Sequence, residues 1–289
     1  MTPLARITRI VEQLSTTDGI ELALATASFE HSRTAMLGRF RSAHGELCLK
    51  VRRDAAFESE SLFYTAVLGS GGPVPKVHAW GAVEQDHYLL MDWLVGDASV
   101  ADEMELGRAI GAALHGVHEV RVEGVGRVRR GNWEAASWSD FLQNNLNRFF
   151  RPRLAELPIP RDLLVALEGR LALLVEQCRG EPLGPRLLHS DLGMDNVVWR
   201  GGTLLGFVDP GWCIGGDPLL DVSYFRESAG ARLFRGFAAG YPDYDRLDRS
   251  RLDSYAVYHR TAKLMHWIDE GRSDRIERGK ARLVEALEA

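Results

Sequence analysis

Two short apolar runs, 197–200 (Val-Val-Trp-Arg) and 203–208 (Thr-Leu-Leu-Gly-Phe-Val), flank Gly201-Gly202, and this pattern predicts a β-hairpin. Upstream, 46–51 alternates, with Leu47, Leu49 and Val51 on one face and Cys48 and Lys50 on the other, which predicts a strand. The apolar run from His87 to Leu94 predicts another strand, ending at Val95-Gly96. Helical spacing predicts a helix over 55–68, one carrying Ile110, Leu114 and Val117, and one carrying Leu163, Leu167, Leu171 and Leu174. Gly124-Val125-Gly126 and Arg127 to Asn132 interrupt that period, and Trp138 to Leu142 then opens a helix behind a polar cap. Tyr255, Tyr258, His259, Lys263 and Trp267 fall on a late helix, where packing is the commoner use of such a stripe. The mixed charges of 272–278 lead into Leu283, Val284 and Leu287 as a solvated amphipathic helix.

An antiparallel hairpin across Gly201-Gly202 brings Asn196, at the start of one strand, beside Asp209, just past the other. Magnesium takes oxygen ligands and is usually held by only one or two protein groups plus substrate phosphates, which an Asn amide oxygen and an Asp carboxylate satisfy. Asp191, in the loop entering the hairpin, is placed beside that site without being a ligand and can accept a proton from an attacking hydroxyl. Asp and Asn are also ordinary turn residues, but His189 ahead of Asp191 and Pro210-Gly211 after Asp209 occur together with them here.

These residues, His189-Ser-Asp-Leu-Gly-Met-Asp-Asn196 and the run from Val208 to Asp221, resemble the aminoglycoside phosphotransferase family, whose relatives include fructosamine, choline and homoserine kinases. The resemblance implies an α+β, bilobal, protein-kinase-like fold with a small antiparallel-sheet N-lobe and a larger, mainly helical C-lobe. It implies Asp191 as the catalytic base, Asn196 and Asp209 as magnesium ligands, and Asp217 and Asp221 bracing the catalytic loop behind His189.

An N-lobe over residues 1–95 then carries the nucleotide machinery, and 96–289 forms the C-lobe. Lys50 is placed on the α- and β-phosphates and Cys48 near adenine, although a strand lysine of this kind also commonly reaches to solvent. Glu60 is the family-type partner for Lys50, with Glu58 its rival on another helix face. Asp92, Trp93 and Leu94 resemble the interlobe hinge, at about 91–96, where backbone groups bind adenine; the composition alone equally fits a buried strand ending at a glycine. The phosphate-covering segment, Ala27 to Thr34, departs from the pattern because it lacks glycine, leaving Ser28 and Ser32, or His31, to supply contacts. The same departure leaves ATP and GTP both open.

A chain of 289 residues, 45% hydrophobic, can bury a sizeable core in two lobes. Cys48, Cys178 and Cys213 are an odd, widely spaced set, which suggests neither a disulfide framework nor a zinc site. His115 and His118 share a helix face, but a metal site needs a further ligand that the segment does not offer. A net charge of −5 and a pI near 6.0 argue against nucleic acid or an anionic membrane as partner. With no long apolar run and no apolar leader after Met1, the expectation is a soluble, cytoplasmic monomer or homodimer.

The expected reaction is ATP- and magnesium-dependent phosphorylation of a small-molecule hydroxyl. A polycationic antibiotic acceptor, its phosphorylation conferring resistance, would want carboxylates near Asp191; the candidates are Asp140, Asp195, Glu227, Asp243, Asp245, Asp269 and Glu270. The alternatives are a metabolite kinase acting on an amino sugar, a fructosamine, or a choline- or homoserine-like acceptor, and an inactive nucleotide-binding module.

Overall fold

The structure, a computed structural model, describes every residue except 1, 18, 24–27, 32–34, 44, 54–56, 98–101, 181–183, 211–213 and 289. The chain opens with α1 (Pro3–Thr17), followed by β1 (Ser28–His31), β2 (Met36–Ser42), β3 (Gly45–Arg52), α2 (Phe57–Gly69), β4 (Val77–Val83) and β5 (Asp86–Asp92). The strands form one antiparallel five-stranded sheet in the order β1-β2-β3-β5-β4. Helix α1 lies outside the elements that the sequence pattern singles out, yet Ile7, Ile10, Val11 and Leu14 follow helical spacing and are buried. They cover one sheet face by packing with Leu47, Leu49, Val51 and Leu90. On the other face Cys48, Leu89 and Met91 join Phe63, Tyr64 and Val67 of α2. Strand β3 is therefore central and buried on both faces, and Lys50 does not reach to solvent.

The C-lobe follows with α3 (Glu103–Glu119), β6 (Val125–Arg129), β7 (Asn132–Ala135), α4 (Trp138–Asn145), α5 (Arg161–Gln177), β8 (Arg186–Leu188), β9 (Val197–Arg200), β10 (Thr203–Phe207) and β11 (Ile214–Gly216). Helices α6 (Leu219–Ser228), α7 (Ala231–Gly240), α8 (Arg249–Asp269) and α9 (Ser273–Glu288) complete it. The interruption seen at 124–132 is a strand pair, β6 and β7, part of a sheet ordered β7-β6-β11-β8. Asp102 caps α3 and Ser137 caps α4 through side-chain oxygens that accept from first-turn amides, satisfying donors that a helix start leaves unpaired. The β9–β10 hairpin forms as the pattern predicts, with Gly201 and Gly202 at φ 56° and 81°, where a Cβ would be strained.

Helices α3 and α7 approach backbone to backbone. A Cβ on Gly107 or Gly111 would collide with the Leu233 or Phe237 carbonyl, and one on Gly236 or Gly240 with Met104 or Arg108. The glycines of each helix thus admit the backbone of the other, which fixes α3 and with it His118.

The outcome is a small sheet-based N-lobe joined to a larger helical C-lobe. Among the described residues, no helix is long and apolar enough to cross a membrane.

Candidate active site

The hairpin places the site. Val208 N–H donates to Asn196 O at 2.9 Å, closing the open end of β9 and β10, and Asp209 follows with φ 52°. The Asn196 side-chain amide donates to Asp191 O at 2.8 Å. One N–H of the Asn196 amide is thereby committed, and its Oδ1 makes no hydrogen bond to a described residue.

Behind the loop, Asp221 is fully buried at the start of α6 and accepts from two successive amides, His189 N at 2.7 Å and Ser190 N at 2.6 Å. His118 Nε2 adds a third contact at 3.2 Å, and its Nδ1 meets the Tyr241 hydroxyl at 2.9 Å. Burial disfavours the Asp221 charge, but the His118 contact and the amides more than offset it and hold the carboxyl below the usual range. This clamp holds Ser190 at φ 64°, a conformation that costs about 1–3 kcal/mol in a non-glycine residue. His189 Nδ1 accepts from Asp191 N at 3.3 Å, so its Nε2 carries the proton and donates to Val208 O at 3.0 Å. Burial keeps that ring neutral by pushing its pKa down. His189 therefore joins the Asp191 segment to the Asp209 segment. Asp217 braces lower down, accepting from Tyr255 Oη at 2.9 Å and Leu219 N at 3.0 Å.

From the N-lobe, Lys50 Nζ lies 2.7 Å from both Glu60 Oε1 and Asp209 Oδ1. Burial alone would lower the lysine pKa, but Glu60 and then Asp209 outweigh it and the ammonium is held above its ordinary value. Asp209 is pushed down in turn, because Lys50 overcomes the cost of its partial burial. Tyr64 completes the joint: Asp209 N–H donates to its oxygen at 3.0 Å, while its hydroxyl points to Glu60 at 3.4 Å. Glu60, not Glu58, is the partner of Lys50. Glu58 accepts from Arg130 N and Gly131 N at 2.7 and 2.9 Å, fastening α2 to the turn between β6 and β7.

At the predicted hinge, Asp92 N–H and Trp93 N–H are already committed to Lys76 O (3.0 Å) and Glu46 O (2.9 Å). Asp92 also holds His78 at 2.7 Å, and Trp93 faces the Arg39 guanidinium. Leu94 N–H has no hydrogen bond to any described residue, so it is open to a ligand where the amides of Asp92 and Trp93 are not. Cys48 sits buried between sheet and α2. Ser28 pairs through its backbone with Arg39 in β2, and Ser32 lies outside the described residues.

On the acceptor side, Tyr224 lies against the Asp191 carboxylate and favours its charged form. Burial, partly opposed by Tyr224, raises the Asp191 pKa, the direction that suits a carboxylate to accept a proton. The sequence reading passed over Tyr224, although its i, i+3 spacing from Asp221 on α6 puts both on one helix face, toward the catalytic loop. Lys263 was read as packing, yet it lies close enough to Asp191 for their charges to interact. The acids expected to greet a cation are mostly engaged. Glu227 is bound by Arg260 and Arg282, Asp269 by Arg153, and Glu270 by His266. Asp140 accepts from Ser137, and Asp243 and Asp245 face Arg246 and Arg249. Asp195 remains, near Tyr224.

No cluster of three His, Cys, Asp or Glu that could hold a metal occurs among the described residues. Asn196 Oδ1 and the Asp209 carboxylate match the sparse oxygen set that magnesium takes from protein when phosphates supply the rest.

A lysine–glutamate pair in a sheet lobe, facing an Asp/Asn/Asp set on a helical lobe, defines a phosphotransferase of the protein-kinase-like class. Residues 39–249 match the model of the phosphotransferase enzyme family (APH), and the chain belongs to that family. It is similar to a "Probable ketoamine kinase" of Lactiplantibacillus plantarum, 24% identical over 231 residues, covering 76% of this chain and 81% of that protein. Aminoglycoside phosphotransferase APH(4)-Ia, solved in ternary complex with ADP and hygromycin B, shares the fold with a TM-score of 0.73 at 17% identity, covering 96% of this chain and 98% of that one. A candidate fructosamine-3-kinase from Thermobifida fusca matches with a TM-score of 0.70 at 21% identity, over 96% and 97% of the two chains.

Proposed function

We propose that this phosphotransferase moves the γ-phosphate of ATP to a hydroxyl of a small, sugar-like metabolite of the ketoamine or amino-sugar type. The observation that carries the phosphotransfer reading is Lys50 held at 2.7 Å from both Glu60 and Asp209, opposite an Asp191 tied to Asn196. The adenine reader is the 91–96 segment, through Leu94 N–H, and Lys50 carries the phosphates. Asn196 and Asp209 are the groups to hold magnesium, which supplies charge neutralisation on the phosphates when bound. Asp191 orients the acceptor hydroxyl and takes its proton as that oxygen bonds to the γ-phosphorus. The bond from phosphorus to the β–γ bridging oxygen breaks, and its electron pair leaves with ADP. The cytoplasm, which supplies ATP and keeps thiols such as Cys48 and Cys178 reduced, is the compartment we assign.

The metabolite reading is favoured over a polycationic antibiotic because Glu227 and Asp269 are already neutralised by the chain's own arginines. Asp195, near Tyr224, is what supports the antibiotic reading. Magnesium-dependent ADP release with ATP and with GTP, measured over ketoamines, amino sugars, aminoglycosides and basic peptide antibiotics with mass spectrometry of each acceptor, tests both. One phosphate gained by a ketoamine or amino sugar supports the proposal; phosphate gained only by antibiotics overturns the acceptor class; nucleotide binding with no transfer overturns phosphotransfer.

A further inference from the structure

A cleft lies between α6, α8 and α9, with Tyr224 on its wall. Tyr224, Arg260, Lys263, Trp267, Gly279 and Arg282 are among its walls. Its charge is set by one acid against three cations. Glu227 takes two bonds from Arg260, at 2.7 and 3.0 Å, and a third from Arg282 at 3.0 Å. That triad is satisfied and still carries net positive charge.

Lys263 is different. Its ammonium stands 5.6 Å from the Tyr224 ring centroid and 5.8 Å from that of Trp267, and among the described residues no carboxylate comes within 4.0 Å of it. Burial and the neighbouring Arg282 push its pKa down, and the more distant Asp191 and Glu227 only partly restore it. A part-buried cation between two aromatic faces, without a close counter-ion, is a group whose anion comes from outside. Gly279 shapes the shelf behind it, because a Cβ there would stand 2.7 Å from Trp267 Cζ3 and push the indole away.

We infer that Lys263, with Tyr224 and Trp267 as side walls, binds a carboxylate carried by the acceptor, so that the substrate is an acidic ketoamine or a similar sugar-acid conjugate. This rests on the phosphotransferase reading and deepens it. Lys263 stands 5.6 Å from the ring centroid of Tyr224, whose hydroxyl end neighbours Asp191, so a carboxylate held by Lys263 and a hydroxyl at Asp191 are within the span of one small molecule. Lys263 thus determines specificity without taking part in proton transfer.

Matched fructosyl adducts of glycine, ethylamine and ethylenediamine, compared by ADP-release kinetics on the full chain, test it. The glycine adduct should lead the ethylamine adduct by roughly tenfold or more in kcat/KM, the scale of a charge-assisted hydrogen bond, with the diamine adduct last. Lys263→Gln should abolish that lead through acceptor KM while leaving ATP KM unchanged, Lys263→Arg should retain it, and Lys263→Glu should move the preference to the diamine. Equal turnover of the three by the wild type, or a Lys263→Gln effect confined to ATP KM, overturns the carboxylate site and leaves phosphotransfer standing. Absence of ADP release from every acceptor, with ATP still bound, overturns phosphotransfer and the carboxylate site with it.

Discussion

Asn196 holds the backbone carbonyl of Asp191 at 2.8 Å while Tyr224 lies against the carboxylate of the same residue, so the proposed base is fixed through its backbone and flanked at its side chain. Asp191→Asn keeps both contacts and removes only the proton acceptor. Turnover should fall about 10²–10⁴-fold, the usual worth of a positioned base, with ATP affinity nearly unchanged. Because burial raises the Asp191 pKa, its ionised form works against folding at neutral pH. Asp191→Asn should therefore also raise the thermal midpoint. Calorimetry alongside steady-state kinetics checks both, and a lowered midpoint with intact turnover would contradict the assignment.

Removing Lys50 strands a charge. Glu60 is 2% exposed and would keep only Arg52, at 3.3 Å, as a cationic partner. Lys50→Met should cost about 3 kcal/mol, near the low end for a broken buried pair because Arg52 remains. Pairing it with Glu60→Leu should recover part of that loss. Denaturant titrations of the two single variants and the double variant give the coupling, and strict additivity would show that the pair is not linked.

Acid should weaken the fold by protonating buried histidine. His259 is buried, donates Nε2–H to Leu220 O at 2.9 Å, and has its pKa pushed down to about 4. The unfolded chain, with histidine near 6.5, binds more protons between those values, so stability rises with pH across the window and is lost on acidification. His189 is depressed by burial and adds to this slope; Asp191, whose pKa is raised, opposes it in the lower part. Unfolding free energies between pH 7 and about pH 4.5 should be flatter for His259→Gln than for wild type. An unchanged slope would remove His259 from the account.

Two glycines of α3 should respond oppositely to alanine. Gly111 faces the α7 backbone, so Gly111→Ala should destabilise by about 1–3 kcal/mol through overpacking and displace His118 from Asp221. Gly116 has nothing within 4 Å of its missing Cβ, and Gly116→Ala should gain up to about 1 kcal/mol from helix propensity. Thermal melts of the pair decide it, and a stabilised Gly111→Ala would show that α3 and α7 have room to separate.

What could be read from the chain follows how local each signal is. Gly201-Gly202 between two apolar runs encodes a hairpin within a few residues, so Asn196 and Asp209 were legible together. The Lys50–Glu60 pair was legible through the family resemblance, and packing settled it, since Glu58 is drawn to Arg130 and Gly131. Tyr224 and Lys263 were not, because their approach to Asp191 depends on how α6 and α8 pack, which no spacing within one helix reveals. The short strands β6 and β7 were hidden by their glycines and arginines, and the free Leu94 amide emerged only once Asp92 and Trp93 were seen to be spoken for.

The joint between Lys50 and Asp209 makes ligand entry an exchange of partners. Asp209 begins with an internal counter-ion that it must surrender before it can serve a divalent cation, and Lys50 has reason to let go only when phosphates arrive to receive it. Nucleotide and metal should accordingly enter as a synergistic pair, each weakly retained alone, and calorimetric titrations with ATP, with magnesium and with both would show that thermodynamic coupling directly.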